Sequence, residues 1–137
     1  MMEKTLEYEG RKIFYRTHGN GMPVMLIHGF GEDGEIFNPI VSAFSYPLEE
    51  GWEGALIIPD LPGSGRSEMI TDMSMEGLAE LLKAIAIAEN LEKFTLIGHS
   101  MGGYISLAFA EKYWNSVKGL GLFHSSAYAD SDEKKAT

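Results

Sequence analysis

The sequence predicts an α/β fold: a mostly parallel, doubly wound sheet of about six strands, three main helices, and an antiparallel hairpin at the N-terminus. Three observations lead there. Four short apolar runs, Val24-Met25-Leu26-Ile27, Ala55-Leu56-Ile57-Ile58, Phe94-Thr95-Leu96-Ile97 and Val117 to Phe123, lack the alternation of half-exposed strands. They suit strands covered on both faces. Helical patterns lie between them, and strand alternating with helix implies a parallel sheet with right-handed crossovers. The start of the chain differs, because Leu6 and Tyr8 alternate with polar residues, Glu9-Gly10 makes a turn, and Lys12 to Arg16 returns. That is a two-stranded hairpin.

The helices are read from their ends and stripes. Asn38 followed by Pro39 suits an N-cap with proline at the first helical position, and Phe37, Ile40, Val41 and Phe44 recur at helical spacing. Ser74 can cap a second helix with the stripe Leu78, Leu81, Leu82 and Ile85, stopped by Asn90 in a left-handed conformation. A third helix, apolar on most sides, runs from Met101 to about Tyr113.

Composition sets outer limits. The 137 residues fit one domain, and 45% hydrophobic against 23% charged residues is ordinary for a folded chain. Twenty Asp and Glu against 11 Lys and Arg give a net charge of −9, which opposes nucleic acid or an anionic bilayer as partner. Cysteine is absent, excluding disulfide scaffolds, thiolate metal sites and cysteine nucleophiles. The opening Met1-Met2-Glu3-Lys4-Thr5 has no secretory core and no run is long enough to span a bilayer, so a cytoplasmic protein without membrane contact is expected. Residues 1–129 form the folded unit and 130–137 a polar, frayed tail.

In doubly wound sheets chemistry collects at the carboxyl ends of strands. There the chain places His28-Gly29-Phe30-Gly31, Asp60 to Gly65, Gly98-His99-Ser100-Met101-Gly102-Gly103 and His124-Ser125-Ser126. Gly98 to Gly102 fits G-x-S-x-G between a predicted strand and a predicted helix, the context that gives the motif its meaning. Such a turn strains Ser100 and lifts its hydroxyl above the sheet as a nucleophile, while Gly98, Gly102 and Gly103 build the elbow where strand and helix approach closely. The competing reading makes Ser100 a mere helix cap. His28 to Gly31 follows the strand expected beside the nucleophile strand, so the backbone amides of Phe30 and Met101 are assigned as oxyanion donors.

These motifs, with Asp60-x-Pro62-Gly63-x-Gly65-x-Ser67, resemble the α/β-hydrolase superfamily in order and spacing, over essentially the whole chain. Within it the chain looks most like small esterases, lactonases and perhydrolases. Serine at 100 argues against the dehalogenase and epoxide hydrolase branches. The resemblance implies an ester-like small-molecule substrate and no cofactor. It also implies an incomplete core: the family carries its acid and histidine after later strands, in the order Ser, acid, His, together with a cap segment. The chain is then either a natural half or a truncated piece, a serine hydrolase half with a nucleophile and oxyanion hole but without its acid and base. The alternative is a non-catalytic half-domain that binds or self-assembles. On the family strand order 1-2-4-3-5-6-7-8 the sixth strand becomes an edge, guarded only by Lys118, and self-association through that strand or a bared sheet face is expected, a rewired monomer being the competitor.

The remaining candidates divide between chemistry and structure. His124, next to the nucleophile strand, lines the pocket or acts as a surrogate base. His99 should point away from Ser100 by strand alternation, and His28 braces its own loop. A metal cluster of His28, His99 and His124 lacks a His-x-x-x-His pair or nearby carboxylate; no metal is expected. Asp60 reads as the cap of its turn rather than a catalytic acid, with Arg66 and Ser67 structural. Gly63 to Ser67 fits neither a phosphate loop nor a dinucleotide fingerprint. Met69, Met73 and Met75 could border a pocket, though core filling is the simpler use.

Overall fold

The computed structural model describes residues 1–44 and 54–123. β1 (Met2–Tyr8) and β2 (Arg11–His18) form the antiparallel hairpin. Its turn places Glu9 at φ 51° and Gly10 at φ 74°, the two left-handed residues that match the twist of a tight hairpin. β3 (Met22–Ile27), β4 (Gly54–Pro59), β5 (Phe94–His99) and β6 (Val117–Phe123) complete one six-stranded sheet in the order β1-β2-β4-β3-β5-β6. β2 meets β4 antiparallel, whereas the β4-β3-β5-β6 pairings are parallel. The expected order holds through all six strands, so β5, which leads into Ser100, lies between β3 and β6.

Helices cover both faces, and strand alternation sorts the core between them. Met25, Ile27, Ile57 and Leu96 pack with α2 (Met75–Ala88) and α3 (Met101–Lys112), through Leu78, Leu81, Leu82, Ile85, Ile105 and Phe109. Leu26, Leu56 and Ile58 point to the opposite face, where Phe37 and Val41 cover them. The central strands are therefore buried on both sides, as their unbroken apolar runs require. β6 departs from that expectation. Its residues alternate between half-buried and exposed, because among the described residues it pairs on one side only, with β5.

The second helix begins and ends as its sequence suggests. Ser74 Oγ accepts from the Gly77 amide at 3.1 Å, and Asn90 adopts φ 57° after the last turn. The first helix starts earlier than expected. A 3₁₀ turn over Gly34–Phe37 precedes α1 (Asn38–Phe44), and its cap is Asp33, whose carboxylate accepts from the Glu35 amide at 2.8 Å. Asn38 has helical dihedrals and is not an N-cap. Asp33 wins because its extended backbone leaves the carboxylate facing the first free amides, so Pro39 enters a helix already under way. His124 and the 130–137 tail lie outside the described residues.

Candidate active site

The Ser100 turn follows directly from the sheet. β5 delivers the chain to His99, α3 begins at Met101, and Ser100 alone makes the reversal, at φ 56° and ψ −120°. A non-glycine residue in that region costs about 1–3 kcal/mol and persists only where its surroundings hold it. Here three contacts do so. The Ser100 amide donates to the Phe123 carbonyl at 3.1 Å, its carbonyl accepts from the Gly103 amide at 2.9 Å, and β5 remains laddered to β3 and β6 up to the turn. Its side chain makes no capping bond to α3, which removes the reading of Ser100 as a simple cap. The residue is exposed, as a hydroxyl lifted from the sheet should be.

Glycine is required on both sides of the turn for lack of room. A Cβ at Gly98 would run into the Gly102 carbonyl oxygen, and one at Gly102 would run into that of Ile27 and lie 2.7 Å from that of His28. α3 therefore starts almost in contact with the end of β3. Ser106 Oγ donates to the Gly102 carbonyl at 2.7 Å and is itself fully buried. Met101, as the first residue of α3, has an amide with no intrahelical acceptor, at the positive end of the helix dipole.

The 28–31 loop lies against the same turn. A Cβ at Gly29 would stand 2.9 Å from Ser100 Cβ and 3.0 Å from the His99 carbonyl oxygen. The loop closes as a turn, with the Glu32 amide donating to the Gly29 carbonyl at 3.3 Å and Gly31 at φ 75°. His28 is buried and uses both ring nitrogens: Nε2 accepts from the Leu61 amide at 2.9 Å, leaving Nδ1 to donate to the Gly29 carbonyl at 2.8 Å. It braces its loop, as its sequence position suggests, and also ties that loop to the one after β4. Phe30 is 87% exposed at the tip.

Asp60 is structural in the same sense. Buried after β4, it accepts from the Gly34 amide at 2.8 Å through one oxygen and from the Arg66 amide at 3.0 Å through the other. Arg16, itself buried, approaches it at 3.7 Å and lies over the Phe14 ring at 4.8 Å. Ser67 Oγ donates to the Asp60 carbonyl at 2.6 Å and accepts from the Phe14 amide at 2.9 Å. Asp60 thus fastens two loops to the sheet and is fully occupied in doing so.

Sequence reading missed Glu32. Its Oε1 accepts from the Gly29 amide at 2.6 Å and from His99 Nδ1 at 2.8 Å. A carboxylate three residues after a loop glycine was the available signal, but only the fold brings His99 to it. A groove of about 650 Å³ beside this point is lined by Gly31 to Asp33, Glu35, Ile36 and Gly63 to Gly65, and does not include Ser100. Met69 and Met73 are not among its lining residues, although a Cβ at Gly63 would come within 3.0 Å of Met69 Cγ and 3.8 Å of Met73 Cε.

The sequence pattern described as alpha/beta hydrolase fold matches residues 22–131. The chain belongs to the alpha/beta hydrolase fold family. Within this family, Lipase 1 of Psychrobacter immobilis is 41% identical over 127 residues, covering 87% of this chain and 37% of that protein. A thermophilic esterase from Thermogutta terrifontis aligns at TM-score 0.79 and 33% identity, over 99% of this chain and 50% of its own. An esterase from Exiguobacterium antarcticum aligns at TM-score 0.82 and 26% identity, over 96% and 49%. The chain spans half or less of the length of these relatives, and its six-stranded sheet is a partial hydrolase core.

Proposed function

We propose that this chain carries the nucleophile half of a serine hydrolase for carboxylic esters or related acyl compounds. The observation that carries the reading is the strained, exposed backbone of Ser100 at the β5–α3 junction, with Gly29 packed against its Cβ. The names of the lipase and esterase relatives support the substrate class. In this reading Ser100 Oγ attacks the ester carbonyl and gives its proton to a general base. The amides of Phe30 and Met101 receive the oxyanion of the tetrahedral intermediate. The base returns its proton to the departing alcohol, and water then releases the acyl group by the reverse sequence.

Neither described histidine beside the turn is offered as that base. His28 has both nitrogens committed, and His99 Nδ1 is held by Glu32. The acid and base then come from outside the described residues. His124, outside the described residues, is the candidate that the sequence offers as a surrogate base. No helix of the described residues is long and apolar enough to cross a membrane. The net charge of −9 opposes nucleic acid as a partner and supports a small-molecule substrate. Made from its complete reading frame, the protein should hydrolyse p-nitrophenyl butyrate, and Ser100→Ala should remove about 10⁶ of kcat. An unchanged rate in Ser100→Ala overturns the assignment.

A second reading, a non-catalytic half-domain that self-assembles, is favoured by β6. Leu120, Leu122 and Phe123 are 40%, 37% and 58% exposed on a strand whose charge protection is Lys118. Such an edge invites pairing with a second copy through β6 or the adjoining sheet face. Light scattering on the 137-residue chain decides this: a mass of twice 15.1 kDa supports association, and a monomer at micromolar concentration rejects it.

A further inference from the structure

We propose that Glu32 is a positioning residue that holds the oxyanion loop at a fixed separation from Ser100; the proposal rests on the hydrolase reading above. A single carboxylate oxygen joins the two halves of the site. Oε1 accepts from the Gly29 amide, in the loop that carries Phe30, and from His99 Nδ1, on the residue that precedes Ser100. The bonds are 2.6 and 2.8 Å long, in the range of charge-assisted hydrogen bonds. Glu32 and His99 side chains are each 23% exposed, so both bonds are partly shielded from water.

The geometry shows what the clamp controls. A Cβ on Gly29 would lie 2.7 Å from Glu32 Oε1 and 2.9 Å from Ser100 Cβ, so the carboxylate and the serine both crowd the Cβ side of the Gly29 backbone and leave no room for a side chain between them. Glu32 also closes its own turn onto the Gly29 carbonyl, which receives His28 Nδ1 as well. Gly29 is thereby held at both its amide and its carbonyl, one residue before the proposed Phe30 donor. On the other side, the His99 ring rests 5.6 Å from the Phe123 ring, centroid to centroid, which fixes the imidazole that Glu32 grips. Losing Glu32 frees the loop to drift from the turn, and a displacement of about 1 Å between reacting groups costs on the order of 100-fold in rate.

Donors to an oxyanion act in the transition state, so the loss should fall on kcat and not on KM. In the protein made from its complete reading frame, Glu32→Ala should lower kcat for p-nitrophenyl butyrate about 10- to 100-fold with KM within about threefold. Glu32→Gln retains an oxygen able to accept from both N–H groups and should recover to within about fivefold of the unaltered protein. Should Glu32→Ala fail to fold, Glu32→Asp supplies the same test, because its shorter side chain cannot reach both partners, and an at least tenfold fall in kcat is expected. A kcat within threefold of the unaltered protein in the folded Ala or Asp variant overturns the proposal, as does a loss confined to KM or a Gln variant as poor as Ala. The two readings fail separately: activity indifferent to Ser100→Ala removes the nucleophile and the clamp together, whereas activity that needs Ser100 but not Glu32 removes only the clamp.

Discussion

The amide of Ser100 donates to the carbonyl of Phe123 at 3.1 Å, so the strained turn is laddered to the last residue of β6. The turn is therefore held by three strands. β5 delivers it, β3 supplies the Gly29 loop beside it, and β6 anchors its backbone. A serine in an unfavourable conformation survives there because moving it would break pairing on both sides of β5.

That packing makes Gly102 unforgiving. The added methyl of Gly102→Ala meets the carbonyl oxygens of Ile27, the last residue of β3, and of His28 just after it, backbone atoms that cannot rotate away. Overpacking against backbone is expected to cost about 2–4 kcal/mol. Urea denaturation of the chain should show a correspondingly lower midpoint; a loss below about 0.5 kcal/mol would mean that α3 can slide from the sheet freely.

Asp60→Ala should also destabilise, by about 3 kcal/mol. It strips acceptors from the buried amide of Gly34 and the partly buried amide of Arg66, and leaves the buried Arg16 without its buried carboxylate neighbour. Asp60→Asn keeps one acceptor and should recover part of the loss. Thermal unfolding of the three proteins checks the order, and equal stability of the parent and Asp60→Ala would contradict the structural role.

Tyr15 supplies a signature at high pH. Burial, then the 2.7 Å hydrogen bond to Glu89 and that residue's charge, raise its pKa above the ordinary value of 10.0. The folded protein thus keeps the phenol neutral where the unfolded chain ionises. The contribution is fully present below pH 10 and declines as pH rises towards the folded-state pKa. Tyr15→Phe should make the loss of stability above pH 10 shallower, measured by urea midpoints across that range. Tyr8 and Tyr113 are raised too, so the slope should decrease without disappearing. An unchanged slope would contradict the assignment.

The 137-residue chain by itself should hydrolyse p-nitrophenyl acetate close to background. Removing the base from a serine triad costs on the order of 10⁶ in turnover, so only oxyanion and binding effects remain, and Ser100→Ala should change the residual rate little. A strong rate that depends on Ser100 would instead give the role of base to His124.

Much of this protein is determined by its sequence alone. The six strands, their alternation with helices and the G-x-S-x-G turn are legible because they rest on local periodicity, on side chains too apolar for solvent, and on glycines needed for close approach. Ser74 and Asn90 are equally plain, since each acts on backbone within a few residues. Asn38 was misleading for the same reason: capping competes locally, and the Asp33 carboxylate reached the free amides first. The double hydrogen bond of Glu32, the occupation of both His28 nitrogens and the half-exposed alternation of β6 were decided only by tertiary structure. Each depends on which strands become neighbours. His99 and Glu32 stand 67 residues apart in the chain, and only the β3–β5 pairing brings the loop after one strand against the end of the other.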